Sequence, residues 1–186
     1  MAGGKHPFHE WIRLEQPRLG TRVTYATDDF FAAKERLIES PDPIFIEDKY
    51  DDHGKWMDGW ESRRKRDPGH DYCVIRLGVP GAVHGVDIDT SFFTGNYPPQ
   101  ASIEACASDV ETPEDDWVEL LPKIDLSGDK HHFLDVRSER IWSHVRLHIY
   151  PDGGIARLRI FGEIRADFTD VDGYVDLAAV EHGGRA

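Results

Sequence analysis

A short polar segment holds most of the residue types in this chain that could do chemistry. Residues 53–66 read HGKWMDGWESRRKR, which combines two tryptophans and two acids with five cations. Arg63 or Arg64 could hold a substrate carboxylate through a bidentate guanidinium contact. Asp58 or Glu61 could hold or transfer a proton. The alternative is a solvated surface loop that the two tryptophans anchor, and both interpretations stay open.

Acids and histidines also occur close together further along the chain. His70 stands beside Asp71, where it could be a general base, a metal ligand or one half of a surface pair. Asp87 and Asp89 flank one apolar residue, so on a strand they share a face and lie roughly 6.5–7 Å apart. Such a pair of acids requires a partner, a metal ion or water unless it faces bulk solvent.

Other patterns argue against several kinds of site. His144 and His148 lie four residues apart in a strand pattern, where about 13 Å would separate them and prevent binding to one metal ion. Cys73 and Cys106 alternate with apolar residues and are typical of core positions. The sequence contains no GxSxG, P-loop, GxGxxG or HExxH motif. No spacing therefore requires a cofactor, although a divalent metal is compatible with these acids and histidines.

The overall composition excludes several classes of protein. The chain has 186 residues, with 22 Lys and Arg against 35 Asp and Glu, for a formal net charge of −13. A chain this acidic does not bind nucleic acid or an anionic membrane through bulk charge. No apolar run reaches the ~18–20 residues of a membrane span, and the start of the chain lacks the apolar segment of a secretory signal. Two isolated cysteines form no disulfide framework, so we expect a cytoplasmic protein.

The elements that must position these residues are mostly strands. Apolar alternation or short apolar runs predict strands over residues 71–79, 83–90, 101–108, 117–121 and 132–136. Residues 144–150 and 155–161 alternate on either side of the turn sequence PDGG, which predicts a β-hairpin. Short strands separated by turn signals predict an all-β sandwich or barrel.

The two ends of the chain differ from this β-rich middle. Residues 1–26 are predicted to be an irregular lead-in. Thr27 as an N-cap and the apolar spacing after it predict one short N-terminal helix over residues 28–39. Near the other end, residues 177, 183 and 185 repeat the types and spacing of Leu14, Gly20 and Arg22. That repetition is typical of a chain that ends inside a second copy of its own fold.

Four longer stretches of the sequence resemble those of a known enzyme family. They read GKWMDGWESRR at residues 54–64, GHDYCVIRLG at 69–78, GVDIDTSFFTGNYP at 85–98 and RLHIYPDGGIAR at 146–157. These ordered runs resemble the allantoicase family over about residues 18–165. The resemblance implies a jelly-roll β-sandwich of the galactose-binding kind, formed by residues 27–165. It also implies that residues 166–186 are a linker or the start of a missing second repeat.

The resemblance further implies an allantoate amidinohydrolase, which hydrolyses allantoate to ureidoglycolate and urea in purine degradation. The candidate acids and bases are then Asp58, His70, Asp87, Asp89 and His148. The candidates for substrate binding are Lys55, Glu61, Arg63, Arg64, Arg76 and Asn96. Because members of the family usually carry two repeats, we expect a homo-oligomer or a complex with a second repeat. The alternative is a non-catalytic module that binds a ureide or a partner protein.

Overall fold

The computed structural model describes residues 7–165, and this part of the chain is built almost entirely from strands. It contains two 3₁₀ turns, Pro17–Leu19 and Lys34–Ile38, and no α-helix. The strands are β1 Ile12–Arg13, β2 Arg22–Ala26, β3 Tyr50–Asp51, β4 Gly54–Lys55, β5 Trp60–Glu61, β6 Asp71–Asp89, β7 Gln100–Cys106, β8 Val118–Asp125, β9 His131–Asp135, β10 Ile141–Tyr150, β11 Gly154–Ile155 and β12 Arg157–Ile164. The all-β prediction is confirmed. None of the described helical turns is long and apolar enough to cross a membrane.

The long strand β6 connects two antiparallel layers. Its residues 71–76 pair with β10 on one side and β2 on the other, and β10 continues through β7 to β8. Its residues 81–89 pair with β12 and β9, and β12 pairs with β1. The first half of β6 therefore belongs to one layer and the second half to the other.

The predicted break between the strands at residues 71–79 and 83–90 is wrong, because β6 continues through Pro80 and Gly81. A proline cannot donate a ladder hydrogen bond, so it is tolerated where a strand changes layer. Gly81 allows the neighbouring strand to come close, since a Cβ there would lie 2.4 Å from the carbonyl oxygen of Glu163.

The hydrophobic core lies between the two layers. Ile75 and Ile88 enter it from the two halves of β6, Leu147 from β10 and Leu158 from β12, and all four are fully buried. The alternation predicted for residues 144–150 and 155–161 is therefore confirmed in its inward-facing positions. Cys73 and Cys106 are free and buried, as the sequence predicted.

The predicted hairpin between residues 144–150 and 155–161 is wrong in its pairing. β10 pairs with β6 and β7, whereas β12 pairs with the other half of β6 and with β1. The turn between them crosses from one layer to the other. Both strands alternate because they bury side chains in the same core from opposite sides, and alternation does not specify which strand is the neighbour.

The predicted helix over residues 28–39 is also wrong. Ala32 instead forms an antiparallel bridge with Glu61, through N–O distances of 3.2 and 3.1 Å. Only Lys34–Ile38 turns, as a short 3₁₀ segment. These backbone hydrogen bonds to β5 replace those that a helix would make within itself. The apolar residues of this segment still reach the core, since Leu37 and Ile38 are buried.

The irregular lead-in predicted at one end of the chain is wrong in part, and the expectation for the other end stays a prediction. Residues 1–26, predicted to be irregular, contribute β1 and β2 to the two layers. The expected linker or second repeat at residues 166–186 lies outside the described residues.

Candidate functional site

An open cleft at one end of the sandwich brings together three of the predicted substrate-binding residues. This loop cleft has a volume of about 730 Å³ and contains Lys55, Glu61 and Asn96. They come from β4, from β5 and from the loop that follows β6. The other polar residues of the cleft are His53, Thr94 and Asp129, which were not predicted as site residues. His53 directly precedes β4 and Thr94 lies two residues before Asn96, so neighbours in the sequence could have indicated both.

Burial changes the pKa of the Glu61 carboxyl group in the loop cleft. Desolvation raises the pKa of Glu61, and a hydrogen bond from Asn96 opposes this effect only in part. Asn96 Nδ2 donates to Glu61 Oε1 over 2.8 Å. The backbone of Glu61 is fixed on both sides, by the bridge to Ala32 and by pairing with Gly154. A positioned carboxyl group with a raised pKa is a stronger base than an ordinary carboxylate, which suits it to proton transfer.

The glycines that follow β10 hold the Asn96 loop in place. Gly154 N donates to the carbonyl oxygen of Asn96 over 2.7 Å. A Cβ at Gly153 would lie 2.6 Å from Pro98 N, and Gly153 has a positive φ of 135°. A Cβ at Gly154 would lie 1.9 Å from the ring of Phe93. The PDGG sequence therefore serves close packing beneath the cleft as well as the change of layer.

Aromatic side chains and one cation form the outer part of the loop cleft. The rings of Phe45 and Phe92 stack with centroids 5.7 Å apart. Lys55 Nζ lies 4.7 Å from the centroid of the Phe45 ring. Lys55 is exposed and makes no ion pair with a residue in the described range 7–165. Its ammonium group is therefore available to a carboxylate.

A second cleft, the basic cleft, lies beside the first and contains Arg63 and Arg64. It has a volume of about 640 Å³ and is lined by Thr27, Asp28, Phe31, residues 63–67 and Asp71. Phe31 also lines the loop cleft, so the two clefts share a wall. Arg63 is already occupied, because its Nε donates to Asp28 Oδ2 over 2.7 Å.

Asp58 lies outside both clefts, in a buried ion pair. Its Oδ2 accepts hydrogen bonds from Arg157 Nη2 at 2.9 Å and from Ile44 N at 2.8 Å. The side chains of Asp58 and Arg157 are only 7% and 1% exposed. This geometry assigns Asp58 to holding the loop around Ile44 against β12.

His70 and His148 are brought together by the fold, on the outer face of the β6–β10–β7 layer. His70 Nε2 and His148 Nδ1 are 2.8 Å apart, and His148 Nε2 is 2.8 Å from Glu104 Oε2. Desolvation lowers the pKa of both histidines. For His148 this effect is larger than the opposing effect of Glu104, which raises the pKa. Glu104 was not predicted, although an acid between Ile103 and Ala105 was a signal for it.

Asp87 and Asp89 lie on the other half of β6, in a separate cluster. Asp87 Oδ2 is 2.7 Å from His131 Nδ1, and Asp89 Oδ1 accepts from Ser91 N at 2.8 Å. Desolvation raises the pKa of Asp87. Arg157 and Arg159 stand opposite these acids in the strand register. The predicted set of acids and bases therefore divides between the two layers instead of forming one centre.

Two further predictions concern Arg76 and a metal ion. Arg76 Nη1 forms an ion pair with Glu111 Oε2 at 2.6 Å, outside both clefts. Across residues 7–165, no group of three or more His, Cys, Asp or Glu side chains is arranged to hold a metal ion. Asp58 instead pairs with an arginine, Asp87 with His131, and His70 with His148.

Comparison with known proteins agrees with the resemblance seen in the sequence. A family model described as the allantoicase repeat matches residues 12–165. The chain is 54% identical over 177 residues to a probable allantoicase 2 from Burkholderia mallei, covering 93% of this chain and 53% of that protein. It is 54% identical over 183 residues to a probable allantoicase from Photobacterium profundum, covering 96% and 56%. The chain thus spans about half the length of these relatives.

Solved structures give the same result. A crystal structure of allantoicase from Saccharomyces cerevisiae matches with a TM-score of 0.79 and 34% identity, covering 94% of this chain and 53% of that one. A CBM32 module from a Clostridium perfringens glycoside hydrolase matches with a TM-score of 0.61 and 13% identity, covering 86% and 100%, which shows the shared fold alone. The β-sandwich prediction is confirmed, and the chain belongs to the allantoicase family.

Proposed function

We propose that this chain hydrolyses allantoate to ureidoglycolate and urea, with the loop cleft as its site. The observation that carries the proposal is the convergence of Lys55, Glu61 and Asn96 on one cleft. The names of its relatives support the choice of substrate.

The substrate matches the chemistry of these side chains. Allantoate carries one carboxylate and two ureido groups on a single carbon atom. Lys55 supplies a cation for the carboxylate. Asn96 and Thr94 supply donors and acceptors for a ureido group. Glu61, held by Asn96, then acts at the carbon that joins the three groups.

Glu61 serves as base and then as acid in this proposal. As carboxylate it accepts a proton from water while the water oxygen bonds to the central carbon of allantoate. The bond from that carbon to one ureido nitrogen breaks, and Glu61 returns the proton to this nitrogen. The products are urea and ureidoglycolate, which together account for every atom of allantoate and water. A raised pKa makes the Glu61 carboxylate a stronger base for the first transfer and keeps the proton on Glu61 for the second.

We also propose that the predicted unit of residues 27–165, together with β1 and β2, is one allantoicase-type jelly-roll unit that works beside a second one. The chain covers only 53% of a relative such as the B. mallei protein, which leaves room there for a further domain of similar size. The second unit would come from another copy of this chain or from a separate repeat. Sedimentation at several concentrations tests self-association, and a strict monomer would contradict the first arrangement.

Urea release from allantoate by the purified chain, with and without divalent metal, tests the proposed activity. We expect Glu61→Gln to lower kcat by ~10²–10⁴-fold, the range for loss of a general acid or base. Glu119→Gln, at an exposed position outside both clefts, is the matched control and should keep full activity. A folded chain that binds allantoate without turnover would support the alternative of a binding module.

A further inference from the structure

The basic cleft has features that the proposed function does not use. We propose that it is a second binding site, for a small molecule that carries both a carboxylate and an N–H donor. The proposal rests on contacts within the basic cleft and does not depend on what the loop cleft binds.

Two guanidinium groups of the basic cleft are available to an anion. Arg64 and Arg66 both line the cleft and are exposed. Neither forms a hydrogen bond or ion pair with another residue of the described segment 7–165. Two arginines close together in a concave site match the geometry of a carboxylate, which accepts several N–H bonds at once.

The other two cations of the run are neutralised, which limits the site to these two guanidinium groups. Arg63 Nη2 lies 2.6 Å from Asp28 Oδ2. Lys65 Nζ lies 2.6 Å from Asp71 Oδ1. The four cations of the cleft outnumber its three carboxylates, Asp28, Asp67 and Asp71, so it is locally positive although the chain as a whole carries a net charge of −13.

The backbone of the basic segment is held in place before any ligand binds. Arg63 N donates to Asp28 Oδ1 over 3.0 Å, and Lys65 N donates to Asp152 Oδ2 over 2.7 Å. Ser62 N donates to the carbonyl oxygen of Gly153 over 3.1 Å. The backbone is therefore fixed on both sides of Arg64, which lowers the entropic cost of binding a ligand there.

Asp71 explains why the ligand should also donate an N–H group. It lines the cleft, is 1% exposed, and its Oδ1 accepts from Thr27 Oγ1 over 2.8 Å as well as from Lys65. Its Oδ2 is buried and has no hydrogen-bond partner in the described part of the chain. An unpaired buried acceptor is costly, and an N–H from a ligand would relieve that cost. The anion would thus contact the two arginines and the N–H would reach Asp71.

Calorimetric titration with N-carbamoylglycine, which carries a carboxylate and a ureido N–H, tests this site. The Lys55→Met variant serves as the reference because it weakens carboxylate binding in the loop cleft. We expect N-carbamoylglycine to bind this reference, and Arg64→Gln/Arg66→Gln in the same background to weaken binding about tenfold or more. Arg137→Gln, which removes an exposed cation outside the basic cleft, should leave the affinity unchanged.

Two ligand controls separate the anion from the N–H donor. Acetate and N-methylurea each provide one half of the probe, and each should bind about tenfold more weakly or worse. No binding to the reference variant, an unchanged affinity after loss of both arginines, or equally tight binding of acetate would each overturn the proposal. Circular dichroism monitors folding, and if the double variant unfolds, the single Arg64→Gln and Arg66→Gln variants take its place.

Urea release is measured separately on the wild-type chain. If the wild-type chain releases no urea from allantoate while N-carbamoylglycine still binds the basic cleft, only the proposed function of the loop cleft is refuted.

Discussion

Replacing Asp58 with Asn tests whether this residue holds the fold together or takes part in chemistry. The change removes the negative charge that faces Arg157, while the remaining side-chain oxygen can still accept from Ile44 N. Loss of one partner of a buried ion pair costs ~3–5 kcal/mol, because the other charge stays buried without compensation. Arg157 keeps hydrogen bonds to the carbonyl oxygens of Pro41 at 3.1 Å and Ala156 at 2.7 Å. We therefore expect a loss of about 3 kcal/mol, at the lower end of that range.

Urea-induced unfolding of Asp58→Asn, Arg157→Met and the double variant measures this loss and the coupling between the two residues. The double variant leaves no unpaired charge, so it should recover much of the stability lost by Asp58→Asn. A loss of about 3 kcal/mol is a large part of the ~5–15 kcal/mol that stabilises a typical protein. If Asp58→Asn costs less than about 1 kcal/mol of stability and abolishes urea release from allantoate, then Asp58 acts in the reaction and its structural role is refuted.

Three further predictions concern other parts of the molecule. Burial raises the pKa of Glu61, so the folded state favours its protonated form. The stability of wild type relative to Glu61→Gln should therefore fall as pH rises from about 4 to 7. Chemical unfolding at both pH values measures the two stabilities, and a relative stability that rises with pH would contradict the prediction. Glu104→Gln removes the group that raises the pKa of His148. The NMR titration of His148 should therefore move to lower pH, and a shift to higher pH would exclude the ion pair between His148 and Glu104. Gly154→Ala should cost at least ~1–3 kcal/mol, because its Cβ would lie 1.9 Å from Phe93; thermal unfolding should show no such loss for Gly95→Ala, where a Cβ meets nothing within 4 Å.

The sequence determined which residues face the core, because side chains alternate along any strand whatever its neighbour. Leu147 and Leu158 were placed inward from this alternation, and both are fully buried. Lys55, Glu61 and Asn96 of the loop cleft lie within the GKWMDGWESRR and TSFFTGNYP runs of the sequence. Local patterns and ordered runs thus predicted the all-β class, the inward faces and three of the cleft residues.

Only the tertiary structure decided which of these elements meet. Glu61 and Asn96 are 35 residues apart, and Asp58 and Arg157 are 99 apart, yet each pair is in direct contact. Strand partners and ion pairs depend on contacts between distant segments, whereas sequence patterns report only the near neighbours of a residue. For the same reason the sequence predicts a helix over residues 28–39, whereas Ala32 is extended through its hydrogen bonds to β5 and only Lys34–Ile38 turns. The tertiary structure therefore placed Glu61 in a cleft, Asp58 in a buried ion pair and His70 beside His148.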